Sequence, residues 1–230
     1  MIKVILWDID GTLLDFQAAE RRALQDSFEK FELGPCPEDR VVRYSAINLS
    51  WWKRLERGEV TKAQLLPGRF EEFFQSEGIG FADCLTLNDF YQQKLGEHVF
   101  FMENSYDLVK GLRGKVKQYA VTNGTKVAQD GKLKNSGLGD LFDGVFISEV
   151  VGAEKPSLDF FRAVFAAIGP YEKEEMLLVG DSLTSDMLGG NRAGIPCCWY
   201  NPAGKPLPQD LTISYDIRRL DQVLDIVEHP

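Results

Sequence analysis

Short apolar runs that stop on a polar residue recur along the chain. Lys3–Trp7 contains β-branched members and ends at Asp8. Val116–Val121 ends at Thr122-Asn123-Gly124, Val145–Ile147 at Ser148-Glu149, and Met176–Val179 at Gly180-Asp181. Ile195–Trp199 ends near Asn201-Pro202. Runs that are apolar throughout, rather than alternating, predict strands covered on both faces, as in a parallel sheet. Helical patterns separate most of them: Lys126–Ser136, Ser157–Ile168 after Pro156, and Ser185–Ala193 before Gly194-Ile195-Pro196. Pro156 suits a first helical turn. The alternation predicts an α/β fold with a mostly parallel sheet.

The stretch from about Phe16 to Ser105 breaks that rhythm. Leu24, Phe28 and Phe31 recur at helical spacing, Phe70, Phe73 and Phe74 follow Pro67-Gly68, and Phe90 or Tyr91 with Leu95 and Val99 make another apolar face. No strand pattern stands out here. A sheet needs no crossover this long. A helical domain inserted after the first strand is expected, over 16–104, with the α/β core in 1–15 and 105–230. At the other end, a short Leu211–Ile213 run precedes an expected terminal helix carrying Ile217, Leu220, Val223, Leu224 and Val227.

Composition narrows the functional classes. The 230 residues hold 26 Lys+Arg against 35 Asp+Glu, a net charge of −9 that disfavours binding to a nucleic acid polymer. A small anionic substrate stays open, because a bound cation inverts the local field. The four cysteines include no CxxC and read as buried thiols of a reducing compartment. The opening MIKVILWDID lacks the pattern of a signal peptide, and no apolar run has the length of a membrane span. A cytoplasmic location is expected by elimination. Nothing in the pattern speaks to oligomeric state.

The candidate chemistry lies at strand ends, where parallel sheets bind ligands. Asp8 and Asp10 are two residues apart, followed by Gly11, which permits a tight turn. Asp181 ends another strand and Asp186 follows it by five. Asp8, Asp10 and Asp181 brought to one point repel each other and ask for a divalent cation, with oxygen ligands favouring magnesium. Asp186 suits a ligand, an organiser of the ion's water shell, or a helix cap. Thr122-Asn123-Gly124 offers a hydroxyl, an amide and free N–H groups at a helix start, an anion cradle or a plain turn. Lys155, just before a helix, suits contact with a phosphate, neutralisation of one of these carboxylates, or simple solvation.

Taken together these residues resemble the haloacid dehalogenase-like hydrolase superfamily. DIDGT at 8–12, VTNG at 121–124, EKP at 154–156 and GDSLTSDMLGG at 180–190 match its four motifs in order. The likeness implies a Rossmann-like core and a helical cap that closes over the active site. VTNGTK, VFISEVVGAEKP and NRAGIPCCWYNP are similar to a branch of bacterial housecleaning pyrimidine 5′-nucleotidases. That branch often has a second aspartate where this chain has Gly11. By the resemblance, Asp8 would attack phosphorus, and Asp10 would protonate the leaving alcohol and then activate water. Thr122, Asn123 and neighbouring N–H groups would hold the phosphate, and Lys155 would offset its charge. Mg²⁺ would be held by Asp8, the Asp10 main-chain carbonyl, Asp181 and Asp186, the last as ligand or support. The expected activity is magnesium-dependent hydrolysis of a small-molecule phosphomonoester, a nucleoside monophosphate foremost. Phosphatases of sugar phosphates or phosphoglycolate and phosphosugar mutases share this core. The superfamily's dehalogenases lack the second aspartate of the first motif, which Asp10 supplies here, and a non-catalytic binding domain would not keep the whole set. Tyr44, Arg43, Asn48, Trp51, Trp52, Phe73 and Phe74 are candidate cap residues for selectivity, or else core.

Overall fold

The computed structural model of the chain describes residues 1–229. Strands β1 (Val4–Trp7), β2 (Lys117–Thr122), β3 (Gly144–Ile147), β4 (Met176–Gly180), β5 (Cys197–Tyr200) and β6 (Tyr215–Ile217) form one sheet in the order β3-β2-β1-β4-β5-β6. Every neighbouring pair is parallel. The first five lie where the apolar runs predict them. The sixth is a correction: Ile217, expected in the terminal helix, pairs with Tyr200 in the sheet, and Leu211 and Ile213 pack as a loop beside Met187, Cys197 and Trp199.

Between β1 and β2 lie helices α1 (Phe16–Lys30), α2 (Glu38–Glu56), α3 (Lys62–Glu77), α4 (Cys84–Glu97) and α5 (Ser105–Leu112). After β2 come α6 (Lys126–Ser136), α7 (Ser148–Val151), α8 (Leu158–Ile168), α9 (Leu188–Ala193) and α10 (Gln222–Glu228). Side chains alternate between the sheet faces. Ile5, Trp7, Leu177, Val179 and Cys198 pack with Leu108, Val109 and Leu112 of α5 and Val223 and Ile226 of α10. Val4, Leu6, Val121 and Leu178 pack with Phe160, Phe161 and Val164 of α8. Both faces are covered, which is why the strands read as unbroken apolar runs.

Helices α1 to α4 share an aromatic core of their own, with Phe28, Tyr44, Phe70, Phe73, Phe74 and Tyr91 all buried. Each such side chain contributes about 1.5–3 kcal/mol by leaving water. Local signals start and stop these helices. Asp15 caps α1, a Thr61–Gln64 capping box opens α3, and Gly78 ends it at φ 67°. Pro67 and Gly68 sit inside α3. The glycine is there because a Cβ would lie 2.5 Å from the Trp51 indole. Pro156, by contrast, lies outside α8, in a cis peptide with Lys155, and Ser157 caps the helix instead.

The helical body seats on the core chiefly through α4 against α6. A Cβ on Gly131 would lie 2.7 Å from the Gly96 Cα, so the two backbones touch, and Asn135 Nδ2 donates to the Gly96 carbonyl at 2.9 Å. All four cysteines are free thiols, and no helix among the described residues is long and apolar enough to cross a membrane.

Candidate active site

Register brings the strand ends together. Trp7 pairs with Ala120 on one side and Val179 on the other. Asp8 is therefore level with Val121 and Gly180, and Thr122 and Asp181 stand one step further out. The chain runs from β1 toward β3 on one side, then returns to lay β4 on the other, so the strand order reverses beside Asp8. That is the switch point at which open parallel sheets form their ligand crevice.

Asp8 is buried, and its two oxygens have different partners. Thr12 Oγ1 donates to Oδ2 at 3.0 Å and Lys155 Nζ to Oδ1 at 2.7 Å. The same ammonium donates to Asp186 Oδ1 at 2.6 Å and to the Val121 carbonyl at 2.8 Å. The Ser182 N–H donates to Asp186 Oδ2 at 3.1 Å. Gly180 makes room for this aspartate, since a Cβ there would lie 2.4 Å from Oδ2. Asp181 stands at the solvent edge. Asp8, Asp181 and Asp186 each bring a carboxylate oxygen within 4.8 Å of the others.

Three carboxylates facing one ammonium carry a formal charge of −2. Burial first, and then the Asp186 charge, push Asp8 up to about 7 against the pull of Lys155. Asp181, whose residue reaches solvent although protein crowds its carboxylate, is raised too, by loss of hydration and by the Asp8 and Asp186 charges. Burial alone would lower Lys155, but Asp186 and Asp8 outweigh it and hold the ammonium above its ordinary range. An all-oxygen set with this surplus of negative charge fits a hard divalent cation such as Mg²⁺.

The grouping differs from the expected one at Asp10. Its carboxylate is not part of the cluster; Asp186 takes that place. Gln129 Nε2 donates to Asp10 Oδ2 at 2.6 Å, and Lys132 forms an ion pair with Oδ1. Asn123 also differs. Its side chain bonds the main chain of Lys155 in both directions, Nδ2 to the carbonyl at 2.8 Å and Oδ1 from the N–H at 2.8 Å. It thus sets the position of the lysine. The buried Thr122 hydroxyl accepts from the Gly124 N–H at 3.1 Å. Gly11 adopts φ 90°, and a Cβ there would lie 2.7 Å from Asp181 Oδ2. A second aspartate at that position has no room while Asp181 stands here.

The helical body reaches this crevice at two points that sequence reasoning missed. Lys62 Nζ donates to the Asn123 carbonyl at 3.0 Å and to Ser148 Oγ at 2.8 Å. Glu56, raised by burial, ends α2 with Oε2 buried and without a partner. Of the selectivity candidates, Trp52 lines a cavity next to Asp10 together with Phe16, Arg69, Gln92, Gln129 and Lys132. Tyr44, Phe73 and Phe74 belong to the aromatic core, and Trp51 packs on Gly68 and donates to Glu72 at 2.8 Å. Arg43 lies on the surface, paired with Asp39 and Glu77. Asn48 is a buried relay: it donates to Glu20 Oε1 at 2.7 Å and accepts from Arg69 at 2.7 Å. Gln129 and Lys132 had one visible signal. They are polar residues three apart at positions of α6 that face inward with Ala128 and Leu133.

Residues 2–194 match the family model described as haloacid dehalogenase-like hydrolase. The chain belongs to this family. It is 36% identical over 225 residues to YfnB of Bacillus subtilis, a HAD-hydrolase by name, covering 98% of this chain and 95% of that one. The pyrimidine 5′-nucleotidase PynA of Streptococcus pneumoniae is 34% identical (98% and 95% covered), and the pyrimidine 5′-nucleotidase YjjG of Escherichia coli 30% (95% of each). The crystal structure of YfnB bound to magnesium, which reveals interdomain movement, superposes with a TM-score of 0.91 at 35% identity over 98% of both chains. The fold agrees with that of YfnB, and the haloacid dehalogenase-like chain described here is an enzyme of the phosphatase type.

Proposed function

We propose that this haloacid dehalogenase-like enzyme is a magnesium-dependent phosphomonoesterase acting through an aspartyl-phosphate at Asp8, with pyrimidine nucleoside 5′-monophosphates as its substrates. The observation that carries the chemistry is the division of the acids: Asp8 sits with Lys155, Asp181 and Asp186, while the Asp10 carboxylate stands apart, held by Gln129 and Lys132 of α6.

Asp8 is the nucleophile. One of its oxygens forms a bond to phosphorus as the ester oxygen leaves, and Asp10 gives that oxygen its proton. Asp10 then takes a proton from water as the water attacks the acyl phosphate, which releases inorganic phosphate and restores Asp8. Acid–base help of this kind contributes about 10²–10⁴-fold. Thr122 and the N–H groups that open α6 hold the phosphoryl oxygens, and Lys155, aimed by Asn123, offsets their charge. Mg²⁺, held by Asp8, the Asp10 main-chain carbonyl, Asp181 and Asp186, would supply the positive charge that lets a carboxylate approach a phosphate dianion. The helical body of 16–104 works as a cap on the core of 1–15 and 105–230, with Lys62 and Trp52 nearest the substrate. The free thiols accord with a cytoplasmic enzyme.

The nucleotide assignment rests on the likeness to PynA and YjjG. Its test is a panel of pyrimidine and purine nucleoside monophosphates, ribo and deoxy, with sugar phosphates and phosphoglycolate, in Mg²⁺ and in chelator. Preference for pyrimidine nucleotides, lost in chelator, is expected. A clear preference for a sugar phosphate overturns the nucleotide assignment, and full turnover in chelator overturns the metal requirement.

A further inference from the structure

Helix α6 turns two buried polar side chains toward Asp10. Gln129 is wholly buried, and its Nε2 donates to Asp10 Oδ2 at 2.6 Å. The other end of the same amide, Oε1, is buried and meets no donor. An unpaired buried carbonyl is costly, so one that persists calls for an explanation. The side chain has little freedom to seek a partner elsewhere. A Cβ on Gly124 would lie 2.2 Å from Nε2, so bare backbone packs against the amide. Reversing the amide would turn Oε1 onto the Asp10 carboxylate.

Gln129 lines a cavity of about 30 Å³ between the helical body and the core, with Asp10, Phe16, Trp52, Arg69 and Thr125 around it. The other acceptors and amide groups there are engaged. Thr125 Oγ1 donates to Gln92 Oε1 at 2.7 Å, and Arg69 donates to Asn48 and Asn88 at 2.7 and 2.8 Å. The buried acceptor of this lining that lacks a donor is Gln129 Oε1.

We propose that Gln129 is a leaving-group residue: its N–H holds Asp10, and its Oε1 accepts a hydrogen bond from a hydroxyl on the alcohol half of the substrate. The inference rests on the phosphatase reading of Asp8 and Asp10. Distance selects the class of alcohol. The O and N of one amide stand roughly 2.2 Å apart by covalent geometry. Added to the 2.6 Å from Nε2 to Asp10, this places the acceptor within about 5 Å of the acid that faces the leaving oxygen. A hydroxyl on the second or third carbon from the ester oxygen spans that interval; a nucleobase, beyond the sugar, does not. The substrates are therefore phosphomonoesters of polyols and sugars, among them nucleoside 5′-monophosphates that carry a 3′-hydroxyl. The cavity holds little more than that hydroxyl, so the helical body must stand further off to admit a whole nucleoside.

The test uses the full chain with Mg²⁺ and two matched pairs: thymidine 5′-monophosphate against its 3′-deoxy analogue, and glycerol 3-phosphate against propyl phosphate. p-Nitrophenyl phosphate serves as a substrate whose leaving group needs little acid. Wild-type enzyme is expected to favour the hydroxylated member of a pair about 10-fold in kcat/KM, the scale of one hydrogen bond. In Gln129→Leu that ratio falls to about 1, and the aryl ester loses less than the alkyl esters. A ratio that survives the substitution overturns the proposal, even where every rate falls. So does a wild-type ratio near 1, which needs no variant to fold. Turnover of the aryl ester with neither hydroxylated ester accepted also overturns it and leaves the phosphatase reading intact. Failure to hydrolyse any of the five overturns the phosphatase reading itself.

Discussion

Lys155→Met tests the electrostatics of the site in the absence of any substrate. The ammonium is buried and donates to Asp8 at 2.7 Å, to Asp186 at 2.6 Å and to the Val121 carbonyl at 2.8 Å. Methionine fills much of the same space without the charge. Asp8, Asp181 and Asp186 then face each other with no cation among them. Breaking a buried pair by removing one partner costs about 3–5 kcal/mol. Asp8, already raised to about 7, relieves part of this by taking up a proton near neutral pH, which places the loss near the lower bound. For a chain of this size about 3 kcal/mol corresponds to a fall of about 6–12 °C in Tm. Urea and thermal unfolding in chelator measure it. Saturating Mg²⁺ at about 100 times its Kd returns about 2.7 kcal/mol to any protein that binds it only when folded. At equal Mg²⁺ the variant should gain more than the wild type, because no ammonium competes with the ion for the Asp8 and Asp186 oxygens. A stability in chelator within about 1 kcal/mol of wild type would show that the lysine does not compensate those carboxylates.

Three further outcomes are expected. Asp8→Asn, checked by mass for deamidation, should unfold no earlier than wild type in chelator, since it removes one of three clustered charges. Its turnover should fall roughly 10⁴-fold or more, and normal phosphatase turnover would refute the nucleophile assignment. Gly131→Ala places a methyl 2.7 Å from the Gly96 Cα and should cost about 1–3 kcal/mol by wedging α4 from α6; an unchanged Tm would mean that this seat is loose. Glu77, held down to about 2 chiefly by Arg43, with Arg40 also pairing, is lower when folded than its ordinary 4.5. Its contribution is therefore complete above about pH 4.5 and lost as pH falls toward 2. Being partly solvated, it is worth about 0.5–1 kcal/mol, so Glu77→Gln should lower stability by that amount at pH 7 and converge with wild type in acid. A difference that grows toward acid would refute the sign.

The parallel sheet was legible because a strand buried on both faces leaves an unbroken apolar run, and five such runs mark β1 to β5. The polar residues that end them carry the chemistry because parallel strands point their carboxyl ends the same way. Asp8, Thr122 and Asp181 could thus be placed at one edge from local pattern alone, and α6 likewise. β6 escaped notice because Tyr215–Ile217 is only three residues long and partly exposed, and Ile217 also suits a helical spacing.

What the sequence determined by itself was the sheet, the helical insertion and the set of residues brought to the crevice, all consequences of short-range periodicity. Tertiary structure alone decided how those residues divide. It put Asp186 rather than Asp10 beside Asp8, gave Asp10 to Gln129 and Lys132 across 119 and 122 residues of chain, and turned the Asn123 amide onto the main chain of Lys155. The physical reason is reach. Strand ends are set by the backbone, whereas a hydrogen bond forms only where side chains from distant elements arrive within about 3 Å in the right orientation.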